Sequence, residues 1–156
     1  SSKFLSTIFL KSENFQSSNL LFGKPMVDRG EGWVLNVAST AAFQPGPGMG
    51  VYFATKAYVL SFTEALAEEW KQTGLKVTAL CPGPTETGFA KAAHASSSKI
   101  FSGQLPTARM VAEYGYKSLM KGRVVAVHGF RNRMILLVNR VSPRSVVRKV
   151  VKGMVK

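Results

Sequence analysis

The sequence predicts an α/β fold built on a parallel sheet. Residues 33–38 make a largely apolar run of strand length bounded by glycine, and residues 75–81 read as a second buried strand stopped by Pro82-Gly83. That is the pattern of strands buried on both faces. Between them, residues 52–71 carry apolar side chains at three- and four-residue steps (Tyr58, Phe62, Ala65, Leu66, Trp70), and Gly74 follows as a stop. Strand, helix, strand with short links is a βαβ unit, which requires parallel pairing and a right-handed crossover.

Taken in order, residues 1–19 are rich in Ser, Asn and Phe without a sustained period and stand apart as an atypical segment. Residues 19–27 read as the end of a helix closed by residues 28–32. Residues 43–50 hold two prolines and three glycines and form a loop. Residues 107–121 read as a second crossover helix with Thr107 as N-cap, and after Gly122 residues 123–128 read as a third strand. Residues 130–141 and 144–155 read as two short helices broken at Ser142-Pro143, where proline suits a first helical turn. Three strands are few for an open sheet. The organisation expected is an atypical segment 1–19, a partial sheet domain 20–129 and a basic helical tail 130–156.

Composition narrows the classes. A chain of 156 residues with 46% hydrophobic and 19% charged side chains fits a globular domain with a core. The net charge of +13 is not spread evenly: residues 1–113 hold ten basic and eight acidic side chains, and residues 114–156 hold eleven basic and no acidic ones. Cys81 is the single cysteine and sits in an apolar run, so it reads as core, compatible with a reducing cytoplasm. Two distant histidines, His94 and His128, with one cysteine make no metal site, so none is expected. No run reaches the length needed to span a bilayer, and the opening segment lacks a signal-peptide pattern.

In open α/β sheets, ligands bind beyond the carboxyl ends of the strands. Ser39 follows the first long strand, Pro82-Gly83 follows the second, and Tyr52 opens the helix between them, so all three fall on that edge. Lys56 lies one helical turn from Tyr52 on the same face. A phenol is a weak proton donor at neutral pH, and an adjacent ammonium stabilises the phenolate, bringing the tyrosine into range for acid/base work. A serine hydroxyl beside it supplies a neutral donor to the same oxygen. Ser96, Ser97 and Ser98 read as a loop over this edge, and Glu64, Glu68 and Glu69 as a solvated helix face.

The stretch Asn36-Val37-Ala38-Ser39, then Tyr52-Phe53-Ala54-Thr55-Lys56, then Cys81-Pro82-Gly83-Pro84-Thr85-Glu86-Thr87 resembles the catalytic, C-terminal half of the bacterial short-chain dehydrogenase/reductase family. The resemblance covers about residues 22–130 and is dense from Gly32 to Phe89. It implies a partial Rossmann-like sheet, the C-terminal half of a doubly wound fold, and a catalytic set of Ser39, Tyr52 and Lys56. It also implies that Lys56 holds the nicotinamide ribose while Pro82, Gly83, Thr85 and Thr87 line the nicotinamide. Phe43, Met49 and Phe89 become pocket walls. The implied reaction is reversible hydride transfer between NAD or NADP and a carbonyl or alcohol. The implied partners are a small carbonyl or alcohol substrate and a second copy of the chain paired through the helix at 52–71.

The departures are as specific. The family's Thr-Gly-x-x-x-Gly-x-Gly turn and its Asn-Asn/Ser-Ala-Gly element are not spelled out in the sequence, so the pyrophosphate-binding half is expected to be absent and the chain truncated. The family's catalytic asparagine belongs near position 11 or 12, where Lys11-Ser12 stand, and Asn14 is out of register.

Two functions from different classes follow: an oxidoreductase, or a non-catalytic remnant serving as an interaction or peripheral membrane module. In residues 144–155, Val146, Val147, Val150, Val151 and Met154 fall on one side, and Arg144, Arg148 and Lys152 on the other. An apolar face opposite a basic one suits an anionic membrane surface, which would place the protein on the cytoplasmic side of the bilayer; the alternative is valines packed on the domain with solvated charges. Nucleic acid ranks last, since no aromatic side chain is interleaved with this basic row.

Overall fold

The computed structural model describes residues 6–7, 15–87 and 104–155. The elements run β1 (Ser6–Thr7), α1 (Phe15–Arg29), β2 (Gly32–Val37), a 3-10 turn (Thr40–Phe43), α2 (Gly50–Glu69), β3 (Leu75–Cys81), α3 (Ala108–Met120), β4 (Val125–Val127), α4 (Phe130–Val141) and α5 (Arg144–Val155). The sheet has the order β1-β2-β3-β4 with every pairing parallel. Six consecutive pairs from Gly32↔Leu75 to Val37↔Leu80 make β2 and β3 its centre.

Successive strand residues point to opposite faces, so Val34 and Leu35 define two cores. On one face Val34 and Val77 pack with Met26, Leu66 and Leu75 beneath α1 and α2. On the other, Leu35 and Leu80 pack with Val111, Leu119 and Ala126 beneath α3. Helices on both faces of a parallel sheet bury most of both central strands, which explains why β2 reads as a largely apolar run. The turn after α2 closes tightly: Gly74 has φ +80°, and a Cβ there would stand 2.1 Å from the Gly30 carbonyl oxygen.

The structure departs from the sequence expectation in four places. A fourth strand, β1, pairs with β2 through Ser6↔Val34 and Thr7↔Leu35; two residues leave no periodic signal to read. Helix α1 is longer than residues 19–27 and carries Pro25 inside it. The inward stripe of α2 is Phe53, Leu60, Thr63 and Leu66, with Tyr58 and Ala65 exposed. Tyr58 instead stacks on Phe62, with ring centroids 6.0 Å apart. The third strand is shorter than residues 123–128: the Arg123 carbonyl accepts from Thr78 Oγ1 rather than from a strand amide, and regular pairing runs from Val125 to Val127.

The helices α4 and α5 have the expected bounds. The valines of α5 do not share one fate: Val147 and Val151 are buried with Ala41 and Phe53, and Val146 and Val150 are exposed.

Candidate active site

The loops that leave β2 and β3 at the carboxyl edge of the sheet each bring components to a common cleft. Past β2, Ser39 caps the 3-10 turn by accepting from Ala41 N at 3.1 Å. Its hydroxyl also donates to the Pro82 carbonyl at 3.4 Å, and Thr40 N donates to the same carbonyl at 2.9 Å. The ends of β2 and β3 are therefore laced together at the point where both strands stop. Past β3, Thr85 Oγ1 donates to the Gly83 carbonyl at 3.0 Å, and Thr87 Oγ1 to the Thr85 carbonyl at 3.5 Å.

Helix α2 delivers Tyr52 and Lys56 to this edge. Lys56 Nζ donates to the Val37 carbonyl, the last residue of β2, at 2.9 Å. The same nitrogen stands 5.9 Å from the centre of the Tyr52 ring. Burial holds the Lys56 ammonium below its ordinary value of 10.5, partly offset by Cys81. Burial also pushes the Cys81 thiol up to about 12, Glu64 adding to the shift, so Cys81 is a protonated core residue.

A cleft of about 780 Å³ opens over these groups. Ser39, Tyr52, Lys56, Pro82, Gly83, Thr85 and Thr87 all border it, as does Met49. Phe43 does not; it sits exposed at the end of the 3-10 turn. Phe89 and the serines at 96–98 lie outside the described residues, as do positions 11–14.

Two features escaped the sequence reading. The first is a wall from α3, where Glu113, Tyr116 and Lys117 reach the cleft; their three- and four-residue spacing was a readable signal. The second is a buried polar bridge behind Ser39. Asn36 Nδ2 donates to Asn19 Oδ1 and to Thr63 Oγ1, both at 3.1 Å, and Thr63 passes its proton to the Val59 carbonyl at 2.6 Å. All three side chains are buried, so this bridge ties α1, β2 and α2 together directly behind the site. Asn36 Oδ1 has no hydrogen-bond partner among the described residues. Nothing in a single sequence pairs an asparagine in a helix with one in a strand.

The short chain dehydrogenase family model matches residues 15–98. The chain belongs to that family. It is 38% identical over 71 residues to 2-dehydro-3-deoxy-D-gluconate 5-dehydrogenase of Bacillus subtilis, covering 46% of this chain and 28% of that protein. It is 30% identical over 131 residues to a ketoacyl reductase of Nostoc sp., covering 79% of this chain and 45% of that protein. Among solved structures, a 7beta-hydroxysteroid dehydrogenase superposes with TM-score 0.75 at 22% identity over 89% of this chain and 53% of its own. A short-chain dehydrogenase of Burkholderia cenocepacia in complex with NADP does so with TM-score 0.70 at 20% identity over 90% of this chain and 58% of its own. The chain thus spans about half the length of these relatives or less.

These likenesses correct two expectations. The family fold is not confined to a C-terminal half of the chain: the superpositions run over nearly all of it, taking in regions whose sequence carries no family motif. The expectation that the dinucleotide-binding part is absent falls as well. The finding that overturns it is the family match, which takes in residues 15–98 rather than the catalytic motifs alone. The sequence reading sought one literal glycine spacing in one place, and backbone geometry in this fold is carried with far less literal identity than that.

Proposed function

We propose that the protein is an NAD(P)-dependent oxidoreductase that interconverts a carbonyl compound and its alcohol. The observation that carries this reading is the meeting of Ser39, Tyr52 and Lys56 at one cleft, floored by the Pro82-Gly83 turn. The donor set suits the nicotinamide-ribose end of a dinucleotide. Thr85 and Thr87 border the cleft, as does the Lys56 ammonium, already fixed to the sheet at the Val37 carbonyl. Pro82, Gly83, Thr85 and Thr87 would hold the nicotinamide and Lys56 the ribose. Bound there, the dinucleotide supplies or accepts the hydride.

The chain's own residues manage the proton and the oxygen. Ser39 Oγ holds the carbonyl oxygen, and Tyr52 gives that oxygen its proton during reduction or removes it during oxidation. Lys56, beside the ring, stabilises the charge left on Tyr52 when the proton departs. Met49 forms part of the substrate side of the cleft. The buried Asn19–Asn36–Thr63 bridge positions the strand end from which Ser39 projects.

The test is nicotinamide absorbance in the purified protein, with NADH and NADPH each offered alongside a panel of aldehydes and ketones. Tyr52→Phe keeps the ring and removes the proton, and turnover is expected to fall by about a hundred- to ten-thousand-fold. A Tyr52→Phe protein that keeps half of its rate would show that the site has been misassigned.

A further inference from the structure

Helix α4 is amphipathic in the inverted sense. Its half-buried side carries Asn132, Leu136 and Asn139: Asn139 Nδ2 donates to Gln44 Oε1 on the cleft rim, and Asn132, whose amide donates to the His128 carbonyl, lies against Gly83. A Cβ on Gly83 would stand 2.4 Å from the Asn132 amide nitrogen, so the approach exists only because that residue is glycine. None of the residues of α4 is buried. Phe130, Met134, Leu137, Val138 and Val141 point outward, with Phe130 73% and Val141 83% exposed. At 3.6 residues per turn these five fall within about 100° of arc. Arg131 borders the arc on one side, Arg133 and Arg140 on the other, and all three are exposed. Helix α5 continues the charge with exposed Arg144, Arg148, Lys149 and Lys152.

We infer that the outward face of α4 docks the protein on an anionic lipid surface, in the plane of the headgroups. An apolar arc with cations along both borders matches that boundary: the arc enters the acyl region and the arginines meet the phosphates. No helix among the described residues is long and apolar enough to cross a membrane, so α4 lies on the bilayer. A second copy of the chain fits this face poorly. An isologous pairing would set Arg131, Arg133 and Arg140 against their own copies, with no acidic side chain anywhere in residues 114–156 to offset them. Nucleic acid would leave the apolar arc in water. Because the Asn139–Gln44 bond holds α4 to the cleft rim, docking places that rim near the lipid.

The experiment is co-sedimentation with vesicles of pure phosphatidylcholine and of phosphatidylcholine containing phosphatidylglycerol. Binding to the anionic vesicles is expected to be stronger by about tenfold or more, and to be lost at high salt. Leu137→Glu and Val141→Glu, both at exposed positions, are expected to abolish it without changing the thermal midpoint. Arg131→Gln combined with Arg133→Gln is expected to weaken it by roughly thirtyfold. Equal partitioning to both lipids, no binding to either, or full binding by Leu137→Glu and Val141→Glu would each overturn the inference. So would a lipid-free dimer that these two substitutions dissociate while vesicle binding is unchanged, since the face would then belong to a second copy.

Discussion

Helix α2 borders the cleft, helix α4 lies against its rim, and the two are built in opposite senses. Helix α2 turns Phe53, Leu60 and Leu66 into the core and leaves its glutamates to solvent. Helix α4 turns two asparagines toward the domain and its apolar residues outward. The first wall is held by burial, which is non-directional and distributed over many contacts. The second is tied to the domain by the directional Asn139–Gln44 bond, a small net contribution. The α2 side of the cleft is therefore expected to be the more stable, and α4 to exchange first.

The largest expected effect tests the buried wall. Leu66 is 2% exposed among Met26, Val34, Leu75 and Val77, so Leu66→Ala should cost about 2–5 kcal/mol in urea denaturation. A loss no larger than that of a surface substitution would remove the basis of the contrast. Next comes the rim. Asn139→Ala should cost only about 0.5–1.5 kcal/mol globally. It should also raise amide hydrogen exchange along α4 while leaving α2 protected. Leu137→Ala, on the outward face, should change neither. If Leu137→Ala proves the more damaging of the two, α4 is packed the ordinary way and the comparison inverts.

The smallest effect is one of pH. The folded-state pKa of Lys56 lies below its ordinary value of 10.5 because burial disfavours the charge. Between those two values the unfolded chain binds more protons than the folded one, so stability rises with pH across that window. Below it the penalty is present in full and constant. Measured as a difference against Lys56→Met, in which other groups cancel, the wild type should gain ground as pH climbs from the lowered value toward 10.5. A difference that is flat through the alkaline range would show that the lysine is better solvated than the structure has it.

What could be read from sequence divides along physical lines. The elements β2, α2 and β3 were legible because burial on both faces writes long apolar runs and a helical period. The junction of α4 and α5 was legible because Ser142-Pro143 is local chemistry. The edge position of Ser39, Tyr52, Lys56 and Pro82-Gly83 followed from strand ends alone. Helix α1 was hard for a stated reason: it buries Asn19 and exposes Leu20, Leu21 and Phe22, opposite to what a hydrophobic pattern assumes. The division of labour in α5 was likewise hidden. Val146, Val147, Val150 and Val151 lie within one broad face, and only the position of Phe53 and Ala41 decides that Val147 and Val151 go in.

The bond from Lys56 Nζ to the Val37 carbonyl has a thermodynamic meaning of its own. A free lysine side chain holds about 2 kcal/mol of rotamer entropy. In most binding sites that freedom is surrendered when a ligand arrives, and affinity is reduced accordingly. Here the chain gives it up on folding, because the strand end already anchors the amine. A ligand entering the cleft meets a cation fixed in place, and the ordering cost has moved from the binding equilibrium to the folding one.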